Sequence, residues 1–194
     1  TPEFIKTALK SSLDTALTGY PATAGELRMR EACAEWLKRR YRIEIEASSQ
    51  ILPVNGSSEA LFALAQAVLD PTQAGAKVVS PNPFYQIYEG AALLGGAEPF
   101  YVANSPENDF SADWHAVPEE IWRKTQLVFV CSPGNPTGKI MPLAEWQTLF
   151  ELSEKYGFVI ASDECYSEIY FRDEPPLGGL EAAYLLGYKE FKRL

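Results

Sequence analysis

The sequence predicts an α/β fold of three layers, in which helices cover both faces of a mainly parallel sheet. Apolar, β-rich runs at 77–80, 98–103, 126–131 and 157–161 alternate with segments whose apolar residues recur at helical spacing. Strands that alternate with helices form parallel sheets through right-handed crossovers. At 194 residues, the chain is long enough for one large domain with a substantial core.

The N-terminal part is predicted to be mostly helical. A short amphipathic helix covers Pro2–Leu13, a turn-rich link follows at Leu17–Ala24, and a longer helix covers Gly25–Arg42. The apolar run Ile51–Val54 is predicted as a short strand that enters a helix over Asn55–Leu69, which Asp70-Pro71 ends. The residues expected to face inward from the longer helix are Leu27, Met29, Cys33, Trp36 and Leu37.

The middle of the chain continues the alternation of strands and helices. The predicted elements are a strand at Lys77–Ser80, a helix at Tyr85–Leu94, a strand at Glu98–Ala103, a polar loop at Asn104–Ala112 and a short helix at Pro118–Lys124.

The next unit carries polar side chains at the ends of two strands. A strand ending at Cys131, a helix over Leu143–Tyr156 and a further strand form a βαβ unit. Asn135 follows the first strand, and Asp163 and Tyr166 follow the second. Ligands of open α/β sheets bind at the carboxyl edge, so an amide, a carboxylate and a phenol are expected in one site.

Composition excludes several functional classes. The net charge of −9 argues against binding to nucleic acid or to an anionic membrane surface, and no run is long enough to span a membrane. The first residues do not resemble a signal peptide. Cys33, Cys131 and Cys165 lack metal-ligand spacing, which predicts free thiols in a reducing, cytoplasmic compartment and no metal site. The single histidine, His115, is assigned no role.

Two motifs carry a resemblance to a known family. The runs S-P-G-N-P-T-G at 132–138 and S-D-E-C-Y at 162–166 resemble those of fold-type I, class I/II aminotransferases, which use pyridoxal 5′-phosphate. That cofactor needs a carboxylate beside its ring nitrogen and neutral donors beside its ring oxygen. The resemblance implies that Asp163 holds the ring nitrogen, while Asn135 and Tyr166 bond the ring hydroxyl. Either motif alone would be better explained by a turn-rich loop or a helix cap, and it is the two together, in order on successive strand ends, that favour the family.

The start of the helix after Val54 is a candidate phosphate site. Unpaired backbone N–H groups, the positive end of the helix dipole and two hydroxyls would suit a phosphate. An ordinary serine N-cap with Glu59 in the first turn explains the same residues. The resemblance places the family's phosphate-binding turn here, which implies that Gly56, Ser57 and Ser58 are ligands.

The aromatic run after Pro83 resembles the family segment that stacks on the pyridine ring. The resemblance places Tyr85 in that role, with Phe84 as the alternative. Core packing of an aromatic-rich helix start is the other explanation, and it suits Phe84 and Tyr88.

The pattern Tyr20-Pro21-x-x-x-Gly25 resembles a further family signature. It implies that Tyr20 reaches the cofactor phosphate of a neighbouring subunit, and hence that the protein is a homodimer. A turn tyrosine that packs on the next helix explains the residues equally well.

The resemblance also implies residues that this chain does not supply. The family lysine that holds the cofactor covalently follows the strand after the S-D-x-x-Y motif, whereas this chain reaches its last residue, Leu194, where that strand would begin. Lys189 and Lys192 match no such loop and are not nominated. The chain is therefore expected to be a fragment, inactive alone, with an N-terminal segment at 1–19, part of the cofactor-binding large domain at 20–194, and no C-terminal small domain.

The implied activity is transfer of an amino group between an amino acid and a 2-oxo acid. The segments at 80–96 and 162–171 are most similar to proteobacterial succinyldiaminopimelate aminotransferases, which implies N-succinyl-LL-2,6-diaminopimelate and 2-oxoglutarate as substrates, in lysine biosynthesis. Aspartate or aromatic aminotransferases, and C–S lyases of the same fold, remain open. The sensing domain of a transcriptional regulator with this fold is a further alternative, and a basic winged-helix region before Thr1 would identify it. A nucleotide-binding domain is disfavoured because no Gly-rich dinucleotide or Walker loop occurs.

Overall fold

A computed structural model describes all 194 residues of the chain. The chain divides into two compact units. The first, here called the N-terminal unit, contains Thr1–Arg40 and Glu44–Pro53, and the second, the sheet unit, contains Tyr41–Ile43 and Val54–Leu194. The division at 19/20 that the sequence suggested concerns the domains of the whole protein and stays a prediction.

The N-terminal unit is built from helices with exposed apolar faces. Helix α1 spans Glu3–Ala16 and has no buried residue, and Phe4 is 75% exposed. Helix α2 spans Leu27–Tyr41, and its last residue belongs to the sheet unit. The predicted inward face of α2 is wrong for Leu27, Met29 and Trp36, which are exposed. An amphipathic stripe becomes buried only where a second apolar surface covers it, and sequence periodicity does not supply that surface.

The sheet unit contains four parallel strands. They are β1 (Lys77–Asn82), β2 (Glu98–Ala103), β3 (Thr125–Cys131) and β4 (Val159–Asp163), and their order across the sheet is β2-β1-β3-β4. Each connection between successive strands contains helix, as parallel pairing requires. The predicted mainly parallel sheet is confirmed.

Helices cover both faces of this sheet, which confirms the three predicted layers. Alternate residues of β3 contribute to two separate apolar clusters, one containing Leu127 and Phe129 and the other Val128 and Val130. Helices α3 (Ser57–Val68) and α4 (Gln86–Leu94) contribute to the first cluster, and α5 (Glu119–Trp122), α6 (Leu143–Tyr156) and α7 (Gly179–Leu185) contribute to the second. No helix combines the length and apolar character that a membrane span needs.

Two local predictions differ from the structure. The strand expected at Ile51–Val54 does not form, and Pro53 within it has no N–H to donate to a sheet. Helix α7 was not predicted, because Gly178 and Gly179 are typical of a loop. The Gly179 N–H instead donates to a carboxylate oxygen of Glu164 at 2.6 Å, which supports the first turn of α7.

Candidate active site

A cavity of 210 Å³ opens at the carboxyl edge of the sheet. Pro81 of β1, Cys131 of β3 and Asp163 of β4 all line it. Strand order reverses here, since β2 lies to one side of β1 and β3 to the other. Open α/β sheets bind ligands at such a reversal.

The structure brings most of the candidate residues to this cavity. Five of the eight line it, namely Ser57, Tyr85, Asn135, Asp163 and Tyr166. Gly56 and Ser58 are adjacent in sequence to Ser57 but do not line the cavity. Tyr20 belongs to the N-terminal unit, where its side chain is fully exposed, and its role stays a prediction.

Asp163 is held by a partner that sequence reasoning missed. It is the last residue of β4, is 8% exposed, and pairs in register with Cys131. The Tyr88 hydroxyl donates to Asp163 Oδ2 at 2.9 Å, and the Tyr88 ring stacks on Phe129 with centroids 4.6 Å apart. Burial, with the nearby Cys131 and Asp163, raises the pKa of Tyr88, so the phenol stays a neutral donor. Its position three residues after Tyr85, the residue that precedes α4, was the available signal, and both side chains line the cavity.

The loop that carries Asn135 is fixed at both of its ends. Ser132 is fully buried, and its Oγ accepts from the Met141 N–H at 3.1 Å. The Gly134 N–H donates to the Lys139 carbonyl at 2.8 Å. A Cβ on Gly134 would lie 2.9 Å from Thr137 Oγ1, so a larger residue here would have to displace the Thr137 side chain, which accepts from the Lys139 N–H. The backbone therefore holds Asn135 beside the cavity, although this residue is itself exposed.

The start of α3 differs from a conventional serine cap. Gly56 is the N-cap residue, with φ of +137°, and no side chain caps the helix, so the serine N-cap alternative is wrong. The first backbone N–H groups of α3 lack helical partners, as at any helix start. The Ser58 and Tyr85 hydroxyls hydrogen-bond at 2.9 Å, which links α3 to the residue that precedes α4.

The two aromatic candidates for ring stacking have different surroundings. The Tyr85 ring meets Tyr88 edge to face, with centroids 6.1 Å apart. Phe84 stacks on Tyr101 at 4.8 Å with nearly parallel planes. Both side chains line the cavity, so cavity lining alone does not separate the two alternatives.

Two thiols also line the cavity. Burial raises the pKa of Cys131 to about 11, and the negative charge of Asp163 acts in the same direction. Burial also raises the pKa of Cys165. Both groups are therefore protonated at neutral pH and act as small apolar side chains rather than nucleophiles.

A carboxyl group that lines the same cavity was also missed by sequence reasoning. Glu145 of α6 accepts from Trp114 Nε1 at 3.2 Å, and burial raises its pKa. Lys139 lines the same cavity and forms an ion pair with Asp109. Neither Glu145 nor Lys139 belongs to a motif of its own, and only the fold brings this helix residue and this loop residue to the same cavity.

The lysines near the end of the chain lie elsewhere, around a different pocket. Lys189 and Lys192 line it together with other C-terminal residues, and neither lines the cavity at the sheet edge. Lys189 Nζ lies 5.2 Å from the Tyr184 ring centroid, and Lys192 pairs with Glu190.

Known proteins share both the sequence and the fold. The sequence profile of aminotransferase class I and II matches residues 1–185. An LL-diaminopimelate aminotransferase of Dehalococcoides mccartyi is 34% identical over 94% of this chain and 46% of its own length. An aminotransferase structure from Neisseria meningitidis is 54% identical, with a TM-score of 0.92 over 96% of this chain and 47% of that one. Aminotransferase AspB from Helicobacter pylori is 39% identical, with a TM-score of 0.90 over 100% of this chain and 50% of that one.

The chain spans about half the length of these relatives. The match to the family nevertheless covers nearly all of the 194 residues, and it includes every strand of the sheet and the whole lining of the cavity. The chain therefore belongs to the class I and II aminotransferases, a family whose cofactor is pyridoxal 5′-phosphate.

Proposed function

We propose that the protein containing this chain is a transaminase that moves an amino group between an amino acid and a 2-oxo acid. The observation that carries the proposal is the Asp163 carboxylate, nearly buried at the carboxyl edge of β4 and lining one cavity with Asn135 and Tyr166. A carboxylate, an amide and a phenol match the polar groups of a hydroxypyridine ring.

The residues present fit pyridoxal phosphate. Asp163 would hold the ring nitrogen, and Asn135 and Tyr166 would donate to the ring oxygen. Ser57 and the free N–H groups at the start of α3 would hold the phosphate, and the Tyr85 ring would pack on the pyridine. Gly56 and Ser58 would complete the phosphate site, and the Ser58 hydroxyl also hydrogen-bonds that of Tyr85. When bound, this cofactor supplies an electron sink for carbanion chemistry.

The contribution of Asp163 is to keep a proton on the ring nitrogen. A carboxylate attracts a cationic N–H more strongly at a nearly buried position than in water. Tyr88 donates to one carboxylate oxygen, which orients the group without adding charge. The protein thus favours the protonated ring, which is the form with the stronger electron demand.

For the substrate, we propose a diaminopimelate-type amino acid. The sequence segments around Ser80–Gly96 suggested the N-succinyl form, whereas relatives at 32–34% identity are named for LL-diaminopimelate itself. The test uses the complete protein with 2-oxoglutarate and either amino donor, and measures glutamate formation. Faster turnover of one of these donors than of aspartate or phenylalanine supports the proposal, and preference for aspartate or an aromatic amino acid contradicts it.

We further propose that the reactive lysine lies outside these 194 residues. Lys139 is paired with Asp109, and Lys189 and Lys192 line another pocket. Borohydride reduction of the cofactor-loaded complete protein, followed by peptide mapping, should place the pyridoxyl group on a lysine elsewhere. A stoichiometric adduct on any lysine of this chain would contradict the proposal.

The remaining proposals concern assembly and compartment. We propose a homodimer in which Tyr20 contacts the cofactor phosphate of the second subunit, and a reducing, cytoplasmic location for a protein with three free cysteines. Analytical ultracentrifugation of the complete protein tests the dimer. Loss of cofactor from a Tyr20→Phe variant tests the contact, and unchanged retention would remove Tyr20 from the site.

A further inference from the structure

Glu164 directly follows Asp163, but its side chain makes a separate set of contacts. Its Oε1 accepts from Ser162 Oγ at 2.8 Å and from the Gly179 N–H at 2.6 Å. Its Oε2 accepts from the Tyr41 hydroxyl at 2.7 Å. Glu164 does not line the cavity, whereas Asp163 does. Of the two neighbouring carboxylates, Asp163 therefore faces the cavity, and Glu164 forms hydrogen bonds within the protein.

Two glycines lie in tight space beside the Glu164 carboxylate and its partners. A Cβ on Gly178 would lie 2.6 Å from Glu164 Oε2 and 2.8 Å from the Tyr41 ring. A Cβ on Gly179 would lie 3.0 Å from both Ser162 Oγ and the Trp146 ring. The backbone before α7 thus approaches the carboxylate closely because it has no side chains there.

These contacts join three parts of the sheet unit at one carboxylate. Tyr41 is 4% exposed, Ser162 belongs to β4, and Gly179 is the first residue of α7. The Glu164 carbonyl also accepts from the Ser167 N–H at 3.1 Å, which closes the turn that contains Tyr166. The side-chain bonds of Glu164 therefore hold the end of β4, and its carbonyl holds the turn that contains Tyr166.

We propose that Glu164 is a positioning residue that directs Asp163 and Tyr166 toward the cofactor ring. The inference rests on the proposed transaminase function. Asp163 ends β4 and Tyr166 lies in the turn that directly follows, so a rotation at this junction would move both ring contacts at once. Displacement of a reacting group by about 1 Å can cost about 100-fold in rate. The Glu164 side chain provides the resistance to such a rotation, since its oxygens are bonded to β4, α7 and Tyr41.

Substitution by glutamine separates hydrogen bonding from charge. The amide oxygen of Glu164→Gln can accept from Ser162 and Gly179, and its NH2 group can donate to the Tyr41 hydroxyl, which also accepts. Glu164→Ala leaves the Gly179 N–H and the Tyr41 hydroxyl without this acceptor. The alanine variant should therefore loosen the turn, and the glutamine variant should largely preserve it.

The test compares both variants with Glu120→Gln, an exposed glutamate of α5, in the complete cofactor-loaded protein. The measurements are Tm, kcat, KM and the visible absorption of the bound cofactor between pH 6 and 9. For Glu164→Ala we expect kcat to fall by about 10- to 100-fold, with little change in KM and an altered pH profile of the absorption. Glu164→Gln should keep kcat within a few-fold of the wild-type value, and so should the control variant Glu120→Gln.

The alternative is that Glu164 only stabilises the fold. A Glu164→Ala protein with a lower Tm but wild-type kcat and absorption profile would overturn the proposal. If that variant does not fold, Tyr41→Phe removes one of the same bonds, and an unchanged absorption profile there would also overturn it. Failure of the proposed function is distinguishable, because the wild-type protein would then form no glutamate from 2-oxoglutarate with any amino donor, whether or not it binds cofactor.

Discussion

The part of the cavity proposed to hold the cofactor ring (the ring side) and the part proposed to hold its phosphate (the phosphate side) are built in different ways. On the ring side, β3 and β4 deliver Asn135 and Asp163 from adjacent strands, and Ser132 and Tyr88 hold the surrounding groups by internal hydrogen bonds. On the phosphate side, α3 starts at an exposed glycine without a side-chain cap. The ring side is therefore preorganised, whereas the phosphate side offers free backbone donors that a bound anion would satisfy.

The largest expected effect follows from removing the ring-side carboxylate. Asp163→Ala in the complete protein should lower kcat by about 1,000-fold, because the ring nitrogen loses the group that keeps it protonated. The control is Asp173→Ala, which changes an exposed aspartate outside the cavity. Steady-state kinetics decide the matter, and near-wild-type kcat would remove Asp163 from the mechanism.

The next effect concerns thiol reactivity on the ring side. Because the pKa of Cys131 is about 11, its thiolate fraction at pH 8 should be ~100-fold below that of a thiol with the ordinary pKa of 9.0. Alkylation of Cys131 in the cofactor-free protein should speed up about tenfold for each pH unit from 8 to 10. Peptide mapping after timed iodoacetamide labelling measures this rate. A labelling rate that levels off near pH 9 would indicate an ordinary thiol pKa, and would contradict the burial of Cys131 beside Asp163.

On the phosphate side, losing two hydroxyls should have a moderate effect. Ser57→Ala combined with Ser58→Ala should weaken cofactor retention by about 1–3 kcal/mol, the range for lost hydrogen bonds to a charged group. The matched control replaces Ser11 and Ser12 of α1, whose hydroxyls bond only to carbonyls of their own helix. Dialysis followed by absorbance measures retention. Equal loss of cofactor from all three proteins would contradict the phosphate assignment.

The smallest effect is expected from the hydrogen bond behind Asp163. Tyr88→Phe removes one donor to the carboxylate but keeps the stacked ring, so kcat should fall by ~10-fold. Tyr101→Phe is the control, because the Tyr101 hydroxyl bonds Glu89 and does not line the cavity. If both variants lose kcat equally, Tyr88 has no special part in orienting Asp163.

The same contrast explains how far the sequence predicts this molecule. Strand-end residues such as Asn135 and Asp163 were found because parallel strands bring their carboxyl ends to one edge, whatever the details of packing. Tyr88 was missed because its role depends on the rotation of α4 against β4, which sequence periodicity does not define. Helix α7 was missed because a contact with distant Glu164 compensates for its Gly-Gly start. The inward face predicted for α2 was wrong for the opposite reason. There the sequence pattern was correct for a helix, but the prediction assumed a covering surface.

The most direct test of the central claim is the protonation of the cofactor ring nitrogen. The complete protein would be loaded with ¹⁵N-labelled pyridoxal phosphate, and the ring ¹⁵N chemical shift would be followed from pH 6 to 9 in wild type and Asp163→Asn. A nitrogen that stays protonated throughout in wild type, and loses its proton within this range in Asp163→Asn, is the predicted result. Identical ¹⁵N titration curves in the two proteins would contradict the assignment of Asp163 as the partner of the ring nitrogen.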